Sequence, residues 1–158
     1  MSKKTNYFDY GYVRCSAVSP KLYLAKPMKN AEKVIEIAKQ ESAKQSLIVL
    51  FPELGLTGYT VEDLFFSDDL IQESRKALEY VLKQSVNIEA IIVVGHPYQS
   101  YDGKFYNCAS AIHKGKLLAM VPKCYLPSYN EFYEARFWTS GLGVNLDIQD
   151  FGHSFKLA

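Results

Sequence analysis

The sequence predicts an α/β fold, with two sheets packed face to face and helices outside them in an α-β-β-α sandwich. Two observations lead there. The first 95 residues alternate strand-like apolar runs with amphipathic helical stretches, the pattern of parallel βαβ units. The following residues change character: Asp102-Gly103 and Lys114-Gly115 are hairpin signals between further strand-like runs, so the second half turns antiparallel. A plain doubly wound sheet does not accommodate both halves, whereas a helix-covered sandwich does. At 158 residues, with no internal repeat, low-complexity segment or composition shift, residues 1–158 read as one domain large enough to bury a core.

Taken in order, Tyr12 to Val18 alternates, with Val13, Cys15 and Ala17 on one face, and Ser19-Pro20 ends this first strand. Pro27 suits the first turn of a helix, and Ala31, Val34, Ile35 and Ala38 recur at helical spacing behind it. Leu47 to Phe51 is an unbroken apolar run bounded by Pro52 and Gly55, which reads as a strand buried on both faces. Ser67-Asp68-Asp69 supplies a capping residue and two carboxylates for a second helix, whose stripe is Leu70, Ile71, Ala77, Leu78, Val81 and Leu82. Ala90 to Gly95 is the third strand of the parallel series, expected to deliver His96-Pro97-Tyr98 to the same sheet edge as Glu53. Phe105–His113 and Lys116–Val121 are the hairpin strands. Val144–Asp150 alternates like another strand, Gly152 turns, and Ser154–Ala158 begins one more. That abrupt end implies a chain that is part of a longer protein.

Composition narrows the function classes. Eighteen Lys and Arg against seventeen Asp and Glu leave a net charge of +1, too balanced to favour nucleic acid or an anionic membrane as partner. The amino-terminal Met-Ser-Lys-Lys-Thr-Asn leads into Tyr-rich polar sequence, and no apolar stretch approaches the roughly 18 residues of a membrane span. A cytoplasmic chain acting on a small molecule or another protein is therefore expected. Cys15, Cys108 and Cys124 have neither CxxC nor Cys/His spacing, so neither a disulfide framework nor a metal site is indicated.

Two segments carry the chemistry. Glu53 emerges directly from the end of a buried strand, where open α/β sheets place their ligands, although a Glu there can equally open a Gly-rich surface loop. Lys123 likewise follows a strand and starts Lys123-Cys-Tyr-Leu-Pro127-Ser-Tyr129-Asn-Glu131-Phe132, a segment made rigid by Pro122 and Pro127.

Together these segments resemble the nitrilase, or carbon-nitrogen hydrolase, superfamily. Its catalytic Glu stands in a Pro-Glu-x-x-x-x-Gly-Tyr-like context, matched by Pro52-Glu53 and Gly58-Tyr59, and a second Glu follows its catalytic Lys by eight residues. By this resemblance Glu53 is the general base, Lys123 the cation that stabilises an oxyanion, and Glu131 the carboxylate that keeps the ammonium charged and aimed; Glu131 alternatively opens a helix over 131–138. The wider string through Glu134 and Arg136 is more specifically similar to the glutaminase domain of glutamine-dependent NAD synthetases, with its Pro-x-Tyr-x-Glu-Phe-x-Glu-x-Arg pattern. The resemblance implies a nitrilase-like α-β-β-α fold, here incomplete at the C-terminal end. It also implies glutamine as substrate, with Tyr59 and Tyr129 contacting it and Phe132 packing against the pocket, though these rings can equally serve only to shape the loops. It needs no cofactor for glutamine hydrolysis. ATP and magnesium belong to a separate ligase domain that amidates deamido-NAD, whose phosphate-binding motifs are absent from this sequence. A homo-oligomer is implied for the full-length protein.

The sequence departs from the family at the nucleophile. The family's catalytic Cys follows a later strand in a Cys-x-Asp or Cys-Glu-Asp context that residues 1–158 do not contain. Cys15 and Cys108 fall within strands, and Cys124 has no neighbouring His to activate it. The chain alone is therefore expected to be inactive. The alternatives are another carbon-nitrogen hydrolase, such as an aliphatic amidase or carbamoylase, and a nucleophile-less nitrilase-like chain that serves in binding or assembly.

Overall fold

A computed structural model describes residues 7–158; the polar stretch Met1 to Asn6, weighed above against a leader peptide, lies outside the described residues. The α/β class is as the sequence predicts. Among the described residues seven strands form a single mixed sheet in the order β1-β2-β3-β4-β5-β7-β6, so one of the two expected sheets is present. The strands are β1 (Arg14–Ala17), β2 (Ser46–Leu50), β3 (Ile91–Gln99), β4 (Phe105–His113), β5 (Lys116–Pro122), β6 (Leu146–Asp150) and β7 (His153–Leu157). Helices α1 (Pro27–Ala43) and α2 (Asp68–Gln84) are the crossovers between the parallel strands β1, β2 and β3, and they pack against each other and against the sheet.

Burial of alternate residues explains the layering. Ala31, Val34, Ile35 and Ala38 of α1 and Ala77, Leu78, Val81 and Leu82 of α2 meet Val49, Ile92, Val94 and Met120 of the strands in one core. Pro27 occupies the start of α1, where its missing N–H costs nothing. Ser67 stands at the N-cap of α2 as expected, but its side chain makes no capping bond; Asp68 and Asp69 place negative charge in the first turn. Among the described residues the opposite face of the sheet carries no helix, and it is apolar at β2 and β5 while β6 and β7 present Asp147, Gln149, Ser154 and Lys156 there. Leu50 and Val121 are about half exposed there, at 47% and 50%.

One boundary differs from the sequence reading in a way that matters. β3 does not stop at Gly95 but runs to Gln99, pairing His96 with Cys108, Pro97 with Asn107 and Tyr98 with Tyr106 of β4. Its pairing with β2 ends at Leu50 and Val93. Beyond that point β3 has β4 as its one strand partner, which is how Pro97 is accommodated. His96 and Tyr98 are consequently buried in the strand rather than presented beside Glu53.

Candidate active site

The vacated edge of β3 is filled by the loop that carries Glu53. Leu56 donates its N–H to the Gly95 carbonyl at 3.1 Å, while Gly55 and Thr57 close tight turns on Pro52 and Leu54 at 3.0 Å each. Leu54, directly after Glu53, has φ +50° and is fully buried, so a left-handed backbone unusual for Leu is held in place by packing. Asn30 of α1 ties the loop from behind, donating to the Leu56 carbonyl at 2.9 Å. Gly95 is required because a Cβ there would lie 2.5 Å from Leu54 N and 2.9 Å from Glu53 Cα.

Lys123 continues the β4–β5 ladder by one residue, its N–H donating to the Asn107 carbonyl at 2.8 Å while its own carbonyl accepts from Gly141 at 2.9 Å. Gly141 presses on the preceding residue: a Cβ would stand 2.6 Å from the Pro122 carbonyl oxygen. With both backbones fixed, the Lys123 ammonium lies 2.9 Å from Glu53 Oε1 and 2.9 Å from the Glu134 carboxylate. Burial works against that charge, but the hydrogen bonds to Glu134 and Glu53 outweigh it and hold the ammonium above its ordinary value. It is therefore a cation at neutral pH.

Glu134, not Glu131, completes this group. After Pro127 the chain doubles back through Asn130, at φ +52°, and the Glu134 N–H returns to the Pro127 carbonyl at 3.1 Å. Only 4% of Glu134 is exposed, and the Tyr59 hydroxyl donates to its Oε1 at 2.6 Å. Burial first, then this bond, push the Tyr59 phenol up, so it remains a donor. Glu131 makes no contact with Lys123 that places it in this group; it lines a cavity of about 140 Å3 together with Glu134, Tyr59, Phe65, Phe132 and Trp138. The helix considered over 131–138 is a single 3-10 turn at Glu134–Arg136. The signal available in the sequence was the second Glu of the same string, in a stretch where Asn130 can take a left-handed turn.

The aromatic residues separate. Tyr59 ends the Gly-rich loop and begins Tyr59–Phe66, short 3-10 turns joined across a kink at which Glu62 takes φ +53°. The Tyr59 hydroxyl is committed to Glu134. Tyr129 is exposed and meets Phe132 edge to face at 6.0 Å. A groove of about 530 Å3 runs along the helix-free sheet face to the ion pair, lined by Leu50, Glu53, Val93, Asn107, Val121 and Lys123 among others. Asn107, missed in the sequence, donates from Nδ2 to Glu53 Oε1 at 2.5 Å.

The arrangement joins the Glu53 carboxylate, a fixed Lys123 cation and the buried Glu134 carboxylate, and among the described residues no thiol meets them. The Cys108 side chain belongs to the core under the helices, where burial pushes its thiol up. Cys124 Sγ turns back to the Pro122 carbonyl at 3.7 Å, and Cys15 is on the edge strand β1. Among the described residues, no cluster of three or more His, Cys, Asp or Glu is spaced to hold a metal ion, and no helix is long and apolar enough to cross a membrane.

Comparison with known proteins places this geometry in context. The model of the carbon-nitrogen hydrolase family matches residues 13–154. The glutamine-dependent NAD(+) synthetase of Mycobacterium bovis is 35% identical over 136 residues, covering 86% of this chain and 20% of that protein. The structure of glutamine-dependent NAD+ synthetase from Acinetobacter baumannii aligns with a TM-score of 0.70 at 30% identity, over 86% of this chain and 25% of that one. An amidase from Nesterenkonia sp. shares the fold at 17% identity, with a TM-score of 0.67 over 91% of this chain and 54% of the amidase. The chain thus spans about a fifth of the length of the synthetases it matches.

Proposed function

The chain belongs to the carbon-nitrogen hydrolase family, and from that premise we propose that it carries the base and cation of a glutamine-hydrolysing site. Glu53 removes the proton of a thiol nucleophile, whose sulfur attacks the side-chain amide carbon of glutamine. Negative charge gathers on the amide oxygen, and the Lys123 ammonium stabilises it. Collapse of the intermediate breaks the C–N bond, and Glu53 returns its proton to the departing ammonia. Water, deprotonated by Glu53, then attacks the thioester carbon; the C–S bond breaks, glutamate leaves, and the proton on Glu53 returns to the sulfur. Glu134, aided by Tyr59, takes the supporting role expected of Glu131 and holds Lys123 charged and aimed.

The observation that carries this reading is the contact of Lys123 with Glu53 and Glu134 at 2.9 Å each, beside a groove wide enough for a small amide. The naming of the relatives as glutamine-dependent NAD synthetases supports glutamine as the amide and NAD synthesis as the use of the ammonia; amidation of deamido-NAD is the step this reading assigns to it. In that reading ATP and magnesium serve a ligase domain and not these residues, Tyr129 and Phe132 border the glutamine site, and the thiol comes from sequence outside residues 1–158.

The full-length protein that carries this chain is the material for the test. It should release ammonia and glutamate from glutamine, Glu53→Gln should lower turnover about 10²- to 10⁴-fold, and Lys123→Met about 10²- to 10³-fold. Hydrolysis of an aliphatic amide but not of glutamine would overturn the substrate and keep the chemistry. Hydrolysis of neither would overturn both. The isolated 158-residue chain should be inactive, and ammonia release by it that disappears in Cys124→Ser would make Cys124 the nucleophile.

A further inference from the structure

A buried amide in the middle of an apolar strand calls for a reason. Asn107 sits in β4 between Tyr106 and Cys108 with 4% of its surface exposed, where an unpaired polar group is costly. Its Nδ2 donates to Glu53 Oε1 at 2.5 Å. An ionised carboxylate only accepts, which fixes the nitrogen end of the amide towards Glu53. Its backbone carbonyl accepts the Lys123 N–H at 2.8 Å. One residue therefore touches both halves of the ion pair, the base through its side chain and the backbone of the cation through its carbonyl. β4 is bonded to β3 on one edge and β5 on the other, so the platform is rigid.

Two donors converge on the same oxygen of Glu53, since Lys123 Nζ also donates to Oε1 at 2.9 Å. We propose that Asn107 is a positioning residue of the reaction: its amide pins Glu53 Oε1 and leaves Oε2 as the oxygen that takes the thiol proton. This rests on the reading of Glu53 as the base. The proton then passes from thiol to Oε2 and back to the leaving nitrogen, while Oε1 stays anchored.

The experiment compares Asn107→Ala and the isosteric Asn107→Asp with wild type in the full-length protein, using glutamine and an aliphatic amide as substrates and crystal structures of all three. Both variants retain the backbone carbonyl that holds Lys123. For Asn107→Ala, kcat should fall about 10- to 100-fold with KM little changed. For Asn107→Asp, the second carboxylate should move the acidic limb of the kcat/KM profile up by about one pH unit or more. In both structures the Glu53 carboxylate should leave its place at Lys123. Wild-type kcat and an unmoved acidic limb in both variants would overturn the proposal. If wild type hydrolyses neither amide, the functional reading fails by itself, and the structures still decide: Glu53 Oε1 remaining 2.9 Å from Lys123 in both variants would remove Asn107 from its role.

Discussion

His96 sits in the middle of β3 with 1% of its surface exposed, Nδ1 3.0 Å from the Pro97 carbonyl and Nε2 2.8 Å from Ser110 Oγ. A carbonyl can only accept, so Nδ1 carries the proton and Nε2 accepts from the serine. Burial pushes this imidazole down to about 4. Between about 4 and the ordinary 6.5 the unfolded chain binds the extra proton, so the stability His96 contributes is present above 6.5 and lost as pH falls through about 4. Chemical denaturation at pH 4.5 should give a lower midpoint than at pH 7, and His96→Gln should flatten that difference; an undiminished slope in the variant would assign it to other groups. At this scale the sequence was legible wherever a residue follows directly on a strand. Glu53 and Lys123 are such residues. Glu131 fits the eight-residue spacing from Lys123, and spacing along the chain cannot show the reversal at Asn130 that brings Glu134 to the ammonium instead; Asn107 was missed because a polar residue inside a strand announces no partner.

Among the elements, the parallel half read well because its periodicities are long and uniform, while β3 read short because Gly95 and Pro97 look like strand terminators. Their meaning is positional: Gly95 admits the Glu53 loop against the strand, and Gly141 does the same for Pro122 and Lys123. The atoms a Cβ would meet at Gly95 are backbone, which cannot swing aside as a side chain can. Gly95→Ala should therefore cost about 1–3 kcal/mol of stability and displace the Glu53 loop, lowering turnover in the full-length protein beyond what its melting temperature explains. An alanine variant with wild-type stability and an unmoved loop would mean that β3 yields instead. The 3-10 segment Tyr59–Phe66 was illegible for a different reason. It is held by tertiary contacts, with Phe65 against Trp138 at 4.5 Å and Arg136 paired with Asp63 at 2.8 Å, rather than by helical periodicity of its own.

For the molecule as a whole, the unequal faces of the sheet decide behaviour in solution. One face is sealed by α1 and α2. The other presents apolar side chains from β2 and β5, a kind of surface that soluble monomers rarely leave open. The isolated 158-residue chain should self-associate, detectable by sedimentation across a concentration series, and Leu50→Lys with Val121→Lys should shift it towards monomer. A monodisperse monomer with the native side chains would contradict this. The sequence indicated a sandwich because it contains both parallel and antiparallel signals; it could not show that all seven strands join one sheet, since edge-to-edge pairing of β5 with β7 depends on contacts remote along the chain. Glu53 and Lys123 stand 70 positions apart, on opposite sides of the turn at Tyr101-Asp102-Gly103, and Tyr101 is 79% exposed. A nick at that turn would part the chain into one piece bearing the acid and another bearing the amine. Neither piece alone holds the pair, so its re-formation would report, atom by atom, on whether two separated polypeptides have found their native register.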